Sequence, residues 1–334
     1  MDHFEHIGIV GAGGWGTALA CLIAEKNVPV TLWGHNLNVI QEIGAQRCNH
    51  KYLPGIRIPA NITLTNQLSD LLDADLILFV TPSKVIRDIA SQLALLAPNK
   101  KTVWVSCTKG IEHDSGNLMT EILEEELGTD QVAVLSGPNL AIEVANKIPA
   151  AAVIGCAQEE LCKHLQHFFT FPTFRTYTSS DVKGIQLGGA LKNIFAIGAG
   201  CSDGFAMGNN AKAALVTRSL AEMMRLGTAM GGQRETFYGL SGIGDLMVTC
   251  FSELSRNRRL GERLGQGEKL AEIQTSMQMV AEGVPSTLGA WQRAKQLDIE
   301  SPIVDGIYAV LYQNQCPRDI MGRLLGRSPK AENA

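Results

Sequence analysis

The strongest constraint lies near the start of the chain. His6-Ile7-Gly8-Ile9-Val10 runs into Gly11-Ala12-Gly13-Gly14-Trp15-Gly16 and then into Thr17-Ala18-Leu19-Ala20-Cys21-Leu22-Ile23-Ala24. A short apolar β-run, a glycine turn and an apolar helical stretch in this order predict a strand-turn-helix unit. In such a unit Gly11 lets the backbone turn with positive φ. Gly13 leaves no side chain where a pyrophosphate would approach, and Gly16 lets the helix pack closely on the strand. The helix N-terminus would offer free N–H groups to the phosphates. A purely structural strand-to-helix turn is the alternative.

The alternation continues. Val30-Thr31-Leu32-Trp33 predicts a second strand, followed by Gly34-His35-Asn36 and a helical stretch from about Val39 to Ala45. Residues 50–60, with Pro54, Gly55 and Pro59, read as a loop. Apolar runs at 75–80, 102–106, 132–135 and 151–154, separated by helical stretches, predict a doubly wound parallel sheet covered on both faces. Near residue 180 the β-runs stop, and 184–200, 211–226, 284–296 and 303–312 read as helices. The expected fold is therefore α/β: a Rossmann-type dinucleotide-binding domain over residues 1–180, then an all-helical substrate-binding domain over 181–334. A chain of 334 residues is long enough for two cores.

Composition removes several classes of function. Forty-five per cent hydrophobic and 19% charged residues are ordinary for a globular protein, and a net charge of −4 gives no general attraction to nucleic acid or an anionic membrane. No apolar run is long enough to span a bilayer, and the charged start leaves no room for a signal peptide, so a cytoplasmic protein is expected. The eight cysteines form no CxxC pair, and reduced, mostly buried thiols are expected. All seven histidines lie between His3 and His167, and no metal site is expected. Proton transfer in the second half must then use Lys, Asp, Glu, Tyr, Cys or water.

Three further stretches carry chemistry. Gly184-Ile185-Gln186-Leu187-Gly188-Gly189-Ala190-Leu191-Lys192-Asn193 is rich in glycine for a helix, where each interior Gly costs about 1 kcal/mol relative to Ala. With Gly198 and Gly200 it implies close approach of a helix or a cofactor ring. Lys192 is then either a surface lysine or a buried amine whose pKa desolvation lowers toward neutrality. Gly242-Ile243-Gly244-Asp245-Leu246-Met247-Val248-Thr249 puts one acid in an apolar, glycine-rich turn, where it needs a partner, most naturally a lysine. Ser255-Arg256-Asn257-Arg258-Arg259 is either a solvated basic face or a single-phosphate site. At predicted strand ends stand Ser106-Cys107-Thr108-Lys109-Gly110 and Ser136-Gly137-Pro138-Asn139-Leu140-Ala141, where ligands of such sheets bind.

GAGGWGTALA, SCTKG, LSGPN, QLGGALKN, GDLMVT and SRNRRLG, in this order and spacing, closely resemble the bacterial NAD(P)-dependent glycerol-3-phosphate dehydrogenases from about His6 to Arg327. QLGGALKN and SRNRR are the specific parts. The resemblance implies interconversion of dihydroxyacetone phosphate and sn-glycerol 3-phosphate with NADP(H) or NAD(H), supplying phospholipid synthesis, by a homodimer. It makes Lys192 the proton donor and acceptor, with Lys109 and Asp245 as its catalytic companions. Lys109, Gly137, Asn139, Lys192, Asn193, Asp245, Thr249, Ser255, Arg256 and Asn257 would bind substrate. Gly11, Gly13, Gly14, Trp15, Gly16, His35, Lys109, Ala141, Arg256, Val280 and Glu282 would bind cofactor. Gly14 departs from the family's usual Ser, and Asn139 from its Ser or Thr.

The second strand ends in Gly34-His35-Asn36 without the acid that bonds the ribose 2′-hydroxyl in NAD-specific domains. Both cofactors are therefore expected to work, with NADPH preferred. A related hydroxyacid or ketopantoate reductase is the rival within the fold. A non-catalytic cofactor sensor would leave Lys192 and Asp245 without a task.

Overall fold

In the computed structural model, which describes residues 4–99, 101–277, 280–329 and 331–332, the glycine turn sits where the sequence predicts. β1 (Ile7–Val10) is buried throughout and leads through the turn into α1 (Gly14–Ala24). β2 (Val30–Trp33) and α2 (Leu37–Gln46) follow, the helix capped by the Asn36 side chain, which accepts from Val39 N–H. Next come β3 (Cys48–Asn49), β4 (Leu53–Arg57), β5 (Ile62–Thr65), β6 (Leu76–Phe79), α3 (Ile86–Leu95), β7 (Val103–Ser106) and α4 (Met119–Leu127). β8 (Val132–Ser136), α5 (Ala141–Ala145), β9 (Ala150–Cys156), α6 (Glu159–Phe169) and β10 (Phe174–Ser179) complete the first half.

Eight of these strands form one sheet in the order β10-β9-β8-β7-β6-β1-β2-β5, with β1 near the middle. Its four innermost strands are continuous apolar runs because helices cover both faces. The expectation of an all-parallel sheet fails at one pair: β8 and β9 run antiparallel. The connection explains why. α5 has five residues, about 7.5 Å at 1.5 Å rise, too short to carry the chain back along β8, which is roughly 17 Å long. The chain therefore turns at the carboxyl edge of β8 and returns directly. Two strands carry no apolar run to betray them. β5 and β10 are the sheet's outer strands, and β10 alternates Phe174 and Thr176 inward with Arg175 and Tyr177 outward. Residues 50–60, read as a loop, contain β4, which pairs with β3 as a two-stranded hairpin.

From residue 181 to 329 the described residues contain helices and turns and no strand. They are α7 (Val182–Gly204), α8 (Gly208–Ala229), α9 (Asp245–Phe251), α10 (Arg256–Gly265), α11 (Leu270–Ser276), α12 (Gly283–Gln296), α13 (Pro302–Tyr312) and α14 (Pro317–Leu325). The four helical stretches read from sequence fall within α7, α8, α12 and α13. α9, α10, α11 and α14 were not foreseen, being short or, in α10, dominated by charge.

α7 is buried without a break from Gly184 to Ser202, so it shows no polar face. Its glycines admit neighbouring backbones. A Cβ on Gly200 would lie 1.9 Å from the Arg258 carbonyl oxygen, and one on Gly261 of α10 would lie 1.9 Å from that of Ile197. The two helices thus approach through reciprocal glycines. Gly200→Ala or Gly261→Ala should each destabilise the protein by about 1–3 kcal/mol, the usual range for overpacking. Gly322→Ala in α14, where a Cβ meets nothing within 4 Å, should be neutral or slightly stabilising. Urea unfolding checks this, and equal effects at all three positions would refute the packing account.

Candidate active site

The site lies along the carboxyl edge of the sheet. Pairing aligns Val10, Phe79 and Ser106 at the ends of β1, β6 and β7. The Gly11 turn and the loop bearing Lys109 therefore leave the sheet at one level, two strand spacings or about 10 Å apart.

At the glycine turn, Gly11 has φ +124°, and a Cβ there would lie 2.6 Å from the Val80 carbonyl oxygen. A Cβ on Gly16 would lie 1.9 Å from the Gly11 carbonyl oxygen, so the first turn of α1 rests directly on the strand end. At Gly13 a Cβ would meet nothing within 4 Å. The first N–H groups of α1, which have no partner inside the helix, are thus approachable by an anion, and the residues present fit a dinucleotide pyrophosphate. Gly14, where the related proteins usually carry Ser, has a physical reason to be Gly: a Cβ would stand 2.7 Å from the Tyr52 carbonyl oxygen. Trp15 tilts against Phe174, ring centroids 6.5 Å apart, so its side chain belongs to the core. His35 is exposed at the carboxyl end of β2. Ala141 begins α5 beside Gly14, its Cβ 3.8 Å from where a Gly14 Cβ would be.

The chemical centre joins the two halves of the chain. Asp245, at the start of α9, is 1% exposed. One oxygen, Oδ1, accepts from Lys192 Nζ on α7 at 2.8 Å, and Oδ2 accepts from Lys109 Nζ in the loop after β7 at 2.5 Å. Lys192 also donates to Thr249 Oγ1 at 2.7 Å, one turn along α9, and Lys109 to the Gly137 carbonyl at 3.1 Å. Glycines bring these groups together. Lacking a Cβ, Gly188 lets the Ser241–Gly242 backbone approach α7, and Gly189 makes room for the Ser136 hydroxyl, 2.9 Å from where its Cβ would stand, with the Lys109 methylenes packed alongside. Of the two readings of Lys192, the buried amine holds. Burial lowers its pKa to about 8, a shift that neighbouring Lys109 adds to and Asp245 opposes. Asp245 is held below its ordinary range: burial would raise it, but two ammonium groups outweigh that.

The remaining expected ligands fall into two groups. Gly137 has φ +144° and lies at the carboxyl end of β8, and Val280 accepts from Arg256 Nη1 at 3.0 Å through its carbonyl. Arg256 is exposed at the first position of α10. In the second group the side chains are engaged within the protein. Asn257 Nδ2 donates to Asn193 Oδ1 at 2.8 Å, and its Oδ1 accepts from Gly283 N–H. Asn193 Nδ2 donates to the Gly189 carbonyl. Ser255 Oγ caps α10 by accepting from Arg258 N–H, and Asn139 Nδ2 donates to the Ala151 carbonyl. Ser255 and Asn257 thus also serve as cap and clamp at the start of α10, and each keeps a donor that these bonds do not use, the Ser255 hydroxyl proton and the second Nδ2 hydrogen of Asn257. The N–H groups of Arg256 and Asn257, at the start of α10, have no partner inside the helix.

Sequence reasoning missed Ser83. Its hydroxyl donates to Glu282 Oε2 at 2.6 Å, linking the loop after β6 to the start of α12. Thr81-Pro82-Ser83 after an apolar run was the available signal. Burial raises the Glu282 pKa against that hydrogen bond. Among the described residues no three His, Cys, Asp or Glu side chains group as a metal site, and no helix is long and apolar enough to cross a membrane.

A dinucleotide turn set beside a buried lysine–carboxylate–lysine centre defines a two-part, nicotinamide-dependent oxidoreductase. The comparisons narrow the class. Residues 6–162 match the N-terminal, and residues 181–322 the C-terminal, domain of NAD-dependent glycerol-3-phosphate dehydrogenase, and the chain belongs to that family. It is 46% identical to the glycerol-3-phosphate dehydrogenase [NAD(P)+] of Geobacter metallireducens over 98% of this chain and 99% of that one. The crystal structure of glycerol-3-phosphate dehydrogenase from Coxiella burnetii superposes with a TM-score of 0.93 at 37% identity, covering 97% of this chain and 99% of the other. A ketopantoate reductase from Ralstonia eutropha, with a TM-score of 0.63 at 16% identity over 96% of this chain and 99% of that one, shares the fold alone.

Asp245→Asn leaves two ammonium groups facing each other without the charge between them. Lys192 should then titrate below about 8, and stability should fall by about 3–5 kcal/mol, as for a buried pair that loses one partner. Isotope-edited titration of the lysine side chains and denaturant unfolding measure the two effects. An unchanged Lys192 titration would show that Asp245 does not set its charge.

Proposed function

We propose that this protein interconverts dihydroxyacetone phosphate and sn-glycerol 3-phosphate with NADPH or NADH, in the cytoplasm and as a homodimer, and so supplies glycerol 3-phosphate for phospholipid synthesis. The observation that carries this reading is the buried Lys192–Asp245–Lys109 centre on the carboxyl edge of a dinucleotide-binding sheet. The Gly11–Gly16 turn would hold the dinucleotide, which would supply or accept the hydride at C2 of the substrate. Lys192 gives a proton to the oxygen on C2 during reduction and takes it back during oxidation, with Asp245 and Thr249 holding its Nζ. Lys109, fixed between Asp245 and the Gly137 carbonyl, polarises the same carbonyl group. Arg256 and the first N–H groups of α10 hold the substrate phosphate, so remote binding energy positions C2. Asn193 and Asn257 act by locking α7 to α10, and Val280 and Glu282 border the cofactor. His35 faces the 2′-phosphate of NADPH, which favours that cofactor modestly.

The direct test is oxidation of NADPH by the purified protein with dihydroxyacetone phosphate, with ketopantoate, and with neither. Turnover with ketopantoate alone would move the protein to the rival class. Lys192→Met should lower kcat by at least 10²-fold, the lower end of general acid catalysis, with little change in NADPH affinity. Because reduction needs the ammonium and oxidation the free amine, kcat/KM for reduction should fall as pH rises through about 8. That for oxidation should rise to a plateau over the same range. Profiles that move in the same direction would exclude Lys192 as the proton donor.

Arg256→Ala should lose about 1.5–3 kcal/mol of transition-state binding for dihydroxyacetone phosphate, the usual worth of a hydrogen bond to a charged group. Much less should be lost for dihydroxyacetone. Comparing kcat/KM for the two substrates decides it, and equal losses would remove Arg256 from the phosphate site.

A further inference from the structure

The β3–β4 hairpin lies outside the main sheet and has no part in the proposed chemistry, yet it reaches the glycine turn. Asn49, at the end of β3, is fully buried, and all three of its side-chain bonds are accounted for. Its Nδ2 donates to the Ala12 carbonyl at 3.0 Å and to Thr17 Oγ1 at 2.8 Å, and its Oδ1 accepts from Tyr52 N–H at 3.2 Å. The two bonds from Nδ2 span 37 and 32 residues and bracket the turn, one before Gly13 and one after Gly16. The third closes the hairpin on itself. The Tyr52 carbonyl then lies against the Cα of Gly14, where a Cβ would come within 2.7 Å.

These contacts bear on a weakness of any glycine-rich anion site. An anion must meet N–H groups and not carbonyl oxygens. The peptide between Ala12 and Gly13 can present either, because a peptide flip there turns on the φ of Gly13, which has no side chain to forbid it. Gly13 stands at φ −77° and ψ −177°, with no atom within 4 Å of its Cβ direction to hold it there. The Ala12 carbonyl is instead held toward the hairpin by a buried amide. We propose that Asn49 is a positioning residue for the cofactor site, keeping the Ala12–Gly13 peptide in the orientation that aims N–H groups at the dinucleotide phosphates. This rests on the dehydrogenase reading above and extends it to a residue outside the glycine turn.

Asn49 would never touch the cofactor, so the test must separate preorganisation from simple stabilisation. The variants are Asn49→Ala, Asn49→Asp, which keeps the size but cannot donate, and Thr17→Val, which keeps the shape and removes one acceptor. NADPH affinity is measured by titration of the folded protein without substrate, and amide exchange over residues 11–17 is followed in the free protein. Kd for NADPH should rise at least tenfold in both Asn49 variants and about threefold in Thr17→Val, with faster exchange in the turn. KM for dihydroxyacetone phosphate at saturating NADPH, and kcat, should stay within twofold. A Kd within twofold of wild type in folded Asn49 variants, whatever their Tm, would overturn the proposal. Should neither fold, an unchanged Kd in Thr17→Val overturns it and a raised one supports it. Wild-type protein that binds no NADPH would instead undo the dehydrogenase reading itself.

Discussion

Asp245 is the contact on which the site depends, because it lies between two lysines delivered by different halves of the chain. Lys192 comes from the middle of a helix buried on all sides, and Lys109 from a loop at the end of a strand. Neither ammonium could be buried alone, since the desolvation penalty for an isolated charge is several kcal/mol. Two cations and one anion leave a net positive charge. Burial lowers the Lys192 pKa to about 8, with Lys109 adding to the shift, and the excess charge gives an anionic substrate an electrostatic reason to complete the cluster. The same carboxylate joins sheet to helices, so charge balance and architecture are one constraint.

Close backbone approach makes that placement possible. Gly188 admits the Ser241–Gly242 segment, which carries the chain directly into Asp245, and Gly200 with Gly261 brings α10 against α7. The six glycines of α7 sacrifice several kcal/mol of propensity relative to alanine at about 1 kcal/mol for each interior one. The compensation is burial of a 23-residue helix along nearly its whole length, which fixes Lys192 and Asn193 more rigidly than a surface helix could.

Much of this was legible in the sequence, for reasons that differ from element to element. Buried parallel strands announce themselves as apolar runs, which is why β1, β2, β6, β7 and β8 lie within a residue or so of their predicted places. β5 and β10 at the sheet's edges alternate, and β4 contains Pro54 and Gly55, so none has such a run. The run at 151–154 marked β9 as a strand, but its antiparallel direction could not be read, because direction depends on the length of a connection and not on the strand itself. In the site, Asp245's need for a lysine was readable from burial of an acid in an apolar turn. That it takes two was not, since Lys109 is 136 residues away. Ser83 was missed although Thr81-Pro82-Ser83 marks a strand end, because its partner Glu282 is 199 residues away, and Asn49 was missed because it acts across the fold through one polar side chain with no local pattern around it.

The polar side chains expected at the site share a structural task. Ser255 and Asn257 suit a phosphate as hydroxyl and amide, and the family resemblance adds Asn139 and Asn193; each of the four also bonds a carbonyl, an N–H or another amide of the protein. A flexible side chain that grips an anion must first surrender its rotamer freedom. Backbone N–H groups at a helix start are already ordered and need no reorganisation as charge develops. The structure places polar side chains where they fix helix ends and loops, at α10 through Ser255 and Asn257 and at the glycine turn through Asn49, and leaves the first N–H groups of α1 and α10 without a partner inside their helices. Arg256 and the two lysines are the exceptions, and each supplies what the main chain lacks, a full positive charge.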